Sequence, residues 1–199
     1  MGIRGCGRDV SRPYGNRSIT TVGAGYIRPV RQHNHNSRQG GMSMEYIIRK
    51  SPRMKSFDYS TPTAYFITIC THEKACLFGS VEHPNAFAKI AEERIKKIPL
   101  HFSGVHINHS AVMPNHVHIL LSVYASEIPM NQPCPNVSDI IGNYKASVSR
   151  EIHRIHPQLQ VWQRSFHDHV IRNEASWQKI WQYIEDNPAK WKEDCYYSK

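Results

Sequence analysis

Two short stretches of this chain carry side chains whose type and spacing suit metal binding and nucleophilic attack. In Met113-Pro114-Asn115-His116-Val117-His118-Ile119-Leu120-Leu121, two histidines stand two residues apart at the start of an apolar run. Side chains at i and i+2 leave the same face of a β-strand, so His116 and His118 are expected to project together from one rigid platform, as a two-imidazole metal grip. The second stretch is Trp177-Gln178-Lys179-Ile180-Trp181-Gln182-Tyr183-Ile184-Glu185-Asp186-Asn187-Pro188. If it is helical, Tyr183 and Asn187 lie one turn apart on one face, a phenol nucleophile beside an amide oxygen ligand.

The elements needed to hold these residues can be read along the chain. Ala64 to Thr71 is rich in aromatic and β-branched residues and predicts a buried strand. From Pro84 to Ile98, Phe87, Ile90, Ala91, Ile95 and Ile98 recur at helical spacing with charges between them. Val105 to Val112 and His116 to Val123 predict two strands joined by Met113-Pro114-Asn115, a hairpin with the histidines on its second arm. After a loop marked by Pro129, Pro133 and Pro135, Ser138 is expected to cap a helix that runs to about His156 and is closed by Pro157. The segment Val161 to Arg172 reads as a loop plus a strand, and Asn173 or Glu174 opens a last helix that Pro188 ends. An α+β fold follows, an antiparallel sheet with helices packed on one face.

Length and charge narrow the class. At 199 residues and 40% hydrophobic content, the chain can build one core plus a tail. No apolar run approaches the ~20 residues that span a bilayer, and the Arg-rich N-terminus lacks the apolar segment of a secretory signal, so a soluble, cytoplasmic protein without a membrane partner is expected. Cys6, Cys70, Cys76, Cys134 and Cys195 are odd in number and scattered, which argues for reduced thiols rather than a disulfide framework or a cysteine zinc site. The formal charge of +9 is uneven: residues 1–43 carry seven arginines against Asp9, leaving the rest only mildly basic. Residues 1–43, rich in Arg, Gly, Ser and Asn, read as a disordered basic extension ahead of a folded domain over 44–199. The extension is either a nonspecific nucleic-acid arm or no working part at all, translation then starting at Met42 or Met44.

The Pro-Asn-His-Val-His strand, Trp162-Gln163-Arg164 running into His169-Val170-Ile171-Arg172, and Tyr183-Ile184-Glu185-Asp186-Asn187-Pro188 together resemble the HUH single-tyrosine transposases, especially the REP-associated tyrosine transposases. The resemblance spans roughly Ser56 to Trp191. It implies a ferredoxin-like sheet and an enzyme that cuts and rejoins single-stranded DNA at hairpins through a covalent 5′-phosphotyrosine, leaving a free 3′-OH. By matching motifs it makes His116 and His118 metal ligands, Tyr183 the catalytic nucleophile and Asn187 the third ligand. The cofactor it implies is Mg or Mn, although imidazoles by themselves suit Zn, Mn, Fe, Co and Ni better than Mg. Single-stranded or hairpin DNA is the expected partner, and monomer and homodimer both stay open.

Plainer readings stand beside each assignment. His116 and His118 could be polar residues on a solvent-facing strand, Tyr183 a packing residue beside Trp177, Ile180 and Ile184, and Asn187 an ordinary helix-ending residue. Tyr144, on a predicted helix beside Lys145, is a competing nucleophile. His106, His109 and the second His-x-His pair, His167 and His169, read as ordinary polar positions, with His169 also a candidate for DNA contact. Lys145, Arg150, Arg154, Arg164 and Arg172 line either a phosphate path or a solvated basic face. Trp177 and Trp181 at helical spacing are core residues or base-stacking platforms. The functional alternatives are a noncatalytic hairpin-binding protein that retains the transposase fold and, last, a two-histidine zinc hydrolase, which would need a general-base motif such as HExxH that is absent. Deleting residues 1–41 should leave specific hairpin cleavage intact in a gel nicking assay; loss of cleavage by a normally folded truncation would show the basic extension to be a working part.

Overall fold

The structure, a computed structural model, describes residues 57–197, so the expected boundary at residue 44 and the basic extension lie outside the described residues. Four strands form one antiparallel sheet: β1 (Ala64–Cys70), β2 (Val105–Met113), β3 (His116–Val123) and β4 (His167–Ile171), in the spatial order β2-β3-β1-β4. β1 and β3 are central and buried along nearly their whole length. Their side chains alternate: Tyr65, Ile67, Ile69, Val117, Ile119 and Leu121 join one core, while Phe66 and Leu120 join a second. The turn between β2 and β3 is Pro114-Asn115, and Met113 belongs to β2.

Helices α1 (Ala86–Lys96) and α2 (Val137–His153) pack on each other and on the Tyr65 face, giving the ferredoxin-like arrangement expected from the sequence. Asn85 caps α1 by accepting from the amides of Phe87 and Ala88. The α2 cap is Asn136, two residues earlier than the expected Ser138, and Asn136 Oδ1 accepts from the Ser138 amide. An Arg94–Glu151 ion pair joins the two helices. A third helix, α3 (Glu174–Asp186), capped by Asn173, covers the other side of the sheet, setting Ile180 and Ile184 against Phe66, Leu120 and Ile171. Central strands that are apolar on both faces require this second cover.

Two backbone features tune the hairpin. A bulge at Asn108 shifts the β2–β3 register, so that Ile107 pairs with Leu121 and His109 with Leu120. Before the bulge, Val105 and Ile107 face the α1–α2 core; after it, Ala111 packs in the α3 core and His109 stacks on Trp181 at 4.6 Å between ring centroids. Just before β2, Gly104 has φ +71°, and a Cβ there would lie 2.6 Å from the Tyr124 carbonyl oxygen and 2.7 Å from Ile128 Cγ1. Gly104→Ala should therefore destabilise the fold by roughly 2 kcal/mol, read as a lower urea midpoint with an unchanged slope.

Candidate metal and nucleophile site

Register brings the histidines under α3: His116 pairs with Cys70 and His118 with Thr68, on the sheet face opposite Ile67 and Ile69. Both imidazoles are buried, at 0% and 1% exposure. Asn115 Nδ2 donates to the Tyr196 carbonyl at 2.7 Å, which turns Asn115 Oδ1 toward His116 Nδ1 at 2.9 Å. That contact needs the proton on His116 Nδ1 and leaves the Nε2 lone pair free for a ligand. His118 Nδ1 lies 2.9 Å from the Thr68 hydroxyl, so its Nε2 also points inward, and the two Nε2 atoms meet at 2.9 Å. Burial, with the Lys74 ammonium adding to it, pushes His116 down to about 3. Burial and the neighbouring His116 also push His118 well below its ordinary range, against the opposing pull of Asp194. Both rings are held neutral, the form that binds metal.

From α3, the Tyr183 hydroxyl reaches 3.4 Å from His118 Nε2 and donates to Asp194 Oδ2 at 3.2 Å. Its ring is fixed edge-on against Phe66 and His118. Asn187, the C-cap of α3, is buried and donates from Nδ2 to Asp194 Oδ2 at 2.6 Å. Its Oδ1 is a buried acceptor with no hydrogen-bond partner among the described residues. Thus His116 and His118 share one strand face, Tyr183 and Asn187 one end of α3, and the two pairs lie side by side. The donor set of two neutral imidazoles, an orphaned amide oxygen and a carboxylate fits a divalent ion.

Asp194 was not legible as part of this site. It follows a short helical turn, Trp191–Glu193, past the proline that ends the motif-bearing helix, and no spacing links it to His116. In space its ligand atom and those of His116 and His118 lie within 4.8 Å of one another. The same segment roofs the histidines: the rings of Trp191 and Tyr196 lie 5.9 and 4.7 Å from that of His116. Lys74 reaches over Tyr196, its ammonium 5.2 Å from the ring, from a turn in which Glu73 and Lys74 both have positive φ.

The remaining candidates separate by environment. Tyr144 is fully exposed to neither solvent nor the site: it is buried beneath α1, its hydroxyl 3.3 Å from the Ala91 carbonyl, and burial drives its ionisation far above the ordinary phenol range. Lys145 has an internal task. Its Nζ donates to the carbonyls of Gln163, Arg164 and Ser165, and burial lowers it to about 8. Trp162 returns the contact, donating from Nε1 to the Lys145 carbonyl. Arg150, Arg154, Arg164 and Arg172 are exposed, whereas His169 is partly buried and held low by burial and by Arg172. Trp177 and Trp181 pack on one another and on the second core. His106 pairs with Glu127, His109 with Glu185, and His167 is exposed on β4.

The family described as "Transposase IS200 like" matches residues 63–187, which include both histidines, Tyr183 and Asn187. The chain belongs to the IS200-like transposase family. An uncharacterized protein of Haemophilus influenzae is 30% identical over 167 residues, covering 75% of this transposase and 93% of the relative. Among solved structures, it is similar to a REP-associated tyrosine transposase bound to a REP hairpin, at TM-score 0.48 and 19% identity, covering 69% of this chain and 73% of that one. A putative transposase from Deinococcus radiodurans is similar at TM-score 0.43 and 18% identity, over 67% and 95% of the two chains. Among the described residues, no helix is long and apolar enough to cross a membrane.

Neutral buried histidines give this transposase a defined acid sensitivity. Between the ordinary histidine value of 6.5 and about 3, the unfolded chain binds protons at His116 that the folded chain refuses. Stability of the metal-free protein should therefore fall as pH drops through that window, by about 1.4 kcal/mol per pH unit from His116, with His118 acting in the same direction. Urea titrations in chelator check this, and a His116→Gln variant should show a shallower loss.

Proposed function

We propose that this transposase cuts and rejoins single-stranded DNA at hairpins, with Tyr183 as nucleophile and a divalent ion, Mg or Mn, held by His116, His118 and Asn187. The observation that carries the reading is the Tyr183 hydroxyl 3.4 Å from His118 Nε2, beside the two converged imidazoles. Hairpin DNA is the substrate that the likeness to REP-associated transposases implies. When bound, the ion would polarise the scissile phosphate and offset charge on its nonbridging oxygens and on the leaving 3′-oxygen.

The chain's own residues set up the displacement. Phe66 and His118 hold the Tyr183 ring, and Asp194 Oδ2 accepts its hydroxyl hydrogen, leaving an oxygen lone pair for attack. A bond forms between the Tyr183 oxygen and phosphorus as the bond from phosphorus to the 3′-oxygen breaks. The phenolic proton is released and the 3′-oxygen takes one up, so the step is proton-neutral. The phosphotyrosine bond conserves the energy needed for rejoining, which distinguishes strand transfer from hydrolysis.

A second reading is a noncatalytic hairpin-binding protein on the same fold. The complete burial of His116 and His118 beneath Trp191 and Tyr196 is the observation that favours it, because a phosphate reaches the histidines only if that cover moves. Labelled hairpin DNA taken from sequences flanking the gene, incubated with the protein in Mn, Mg or chelator, separates the two. A metal-dependent, denaturation-resistant adduct at Tyr183 is expected. Tyr183→Phe should abolish it without loss of DNA binding, the double change His116→Ala, His118→Ala should remove metal-dependent cleavage, and Tyr144→Phe should retain both. An adduct that persists in Tyr183→Phe would sink the assignment, and tight binding without any adduct would establish the second reading.

A further inference from the structure

The charge of the site is incomplete without a cation. Asp194 is 8% exposed, and its hydrogen-bond donors among the described residues are neutral: the Asn187 amide, the Tyr183 hydroxyl and the backbone N–H of Tyr196 at 2.6 Å. No lysine or arginine forms an ion pair with it among the described residues. A nearly buried carboxylate without a countercharge is costly, so this arrangement is one that a bound cation stabilises. The three hydrogen bonds leave lone-pair capacity on the carboxylate. One ring nitrogen of each histidine lies within 4.8 Å of a carboxylate oxygen of Asp194.

We infer that Asp194 is the anionic ligand of the metal site, joining His116 and His118 on the same ion and, with the Asn187 carbonyl, biasing the site toward a hard divalent ion. This rests on the metal-dependent reading above and goes beyond it, because the motif supplies only neutral ligands. The reason lies in donor chemistry. Two imidazoles alone favour softer ions such as Zn, whereas a carboxylate and an amide oxygen suit Mg and Mn. Asp194 also fixes the ligand next to it: by taking the Asn187 Nδ2 hydrogen, it commits that amide's oxygen to the acceptor side.

The test is calorimetric titration of the full chain with MnCl2 and, separately, ZnCl2, for the natural protein, Asp194→Asn and His116→Ala. Asparagine keeps the size of Asp194 and an oxygen that accepts from Asn187 and Tyr183, but its NH2 cannot accept from the Tyr196 N–H, so the folding control below accompanies it. Asp194→Asn should bind Mn at least about tenfold more weakly, with a smaller loss for Zn, so that the Zn-over-Mn preference rises. His116→Ala should lose both ions. Melting in chelator reports folding, and Asp194→Ser, smaller and still an acceptor, replaces Asp194→Asn if the latter melts markedly lower. Unchanged Mn affinity and an unchanged Zn-to-Mn ratio in the Asp194 variants, with Mn binding lost in His116→Ala, would overturn the inference and leave the metal-dependent reading standing. A natural protein that binds neither ion would overturn both.

Discussion

The β1–β3 ladder is the constraint on which the site depends. Because Cys70 stands opposite His116 and Thr68 opposite His118, strict alternation sends both imidazoles to the α3 side and their neighbours Val117 and Ile119 to the α1–α2 side. A slip of one residue would exchange the two sets, placing imidazoles in the main core and apolar side chains at the metal position. Both faces are buried, so every slipped register carries that penalty along the whole strand. The pairing also fixes ring orientation, since Thr68 and Asn115 engage the outer nitrogens and leave the inner ones facing each other.

The second core and the site are one construction. Ile180 and Ile184 anchor α3 on Phe66, Leu120 and Ile171, and one turn of that helix then carries Tyr183 and Asn187 to the histidines. Precision at Tyr183 therefore comes from apolar packing on either side of it rather than from the polar contacts alone. The final segment closes the arrangement through Asp194 and the Tyr196 carbonyl, so that four separate parts of the chain meet at one small polar cluster walled by hydrocarbon.

Much of this was legible because local periodicity encodes it. A two-residue histidine spacing in a strand and a four-residue Tyr–Asn spacing in a helix translate directly into shared faces, and the strand–helix order gave the sheet. What escaped depended on tertiary approach. Asp194 joins the site through a turn after the helix, outside the stretch that matches the family, so no period connects it to the histidines. Lys145 reads as a surface cation on a helix, yet it ends among three carbonyls of a distant loop. Asn136 and Ser138 are both competent caps, and only the entry path of the chain into α2 decides between them. The expectation that all helices pack on one face of the sheet fails at α3, which covers the other face, because its amphipathic pattern specifies that a face is buried but not against what.

The bulge at Asn108 makes β2 an edge strand with two allegiances. Val105, Ile107 and Val112 supply side chains to the α1–α2 core, whereas Ala111 packs in the α3 core and His109 on Trp181. The consequence is slack in length: Asn108 is the residue in excess, and a β2 lacking it would set Ile107 and His109 on successive rungs opposite Leu121 and Leu120, with His109 and Ala111 still on the α3 side.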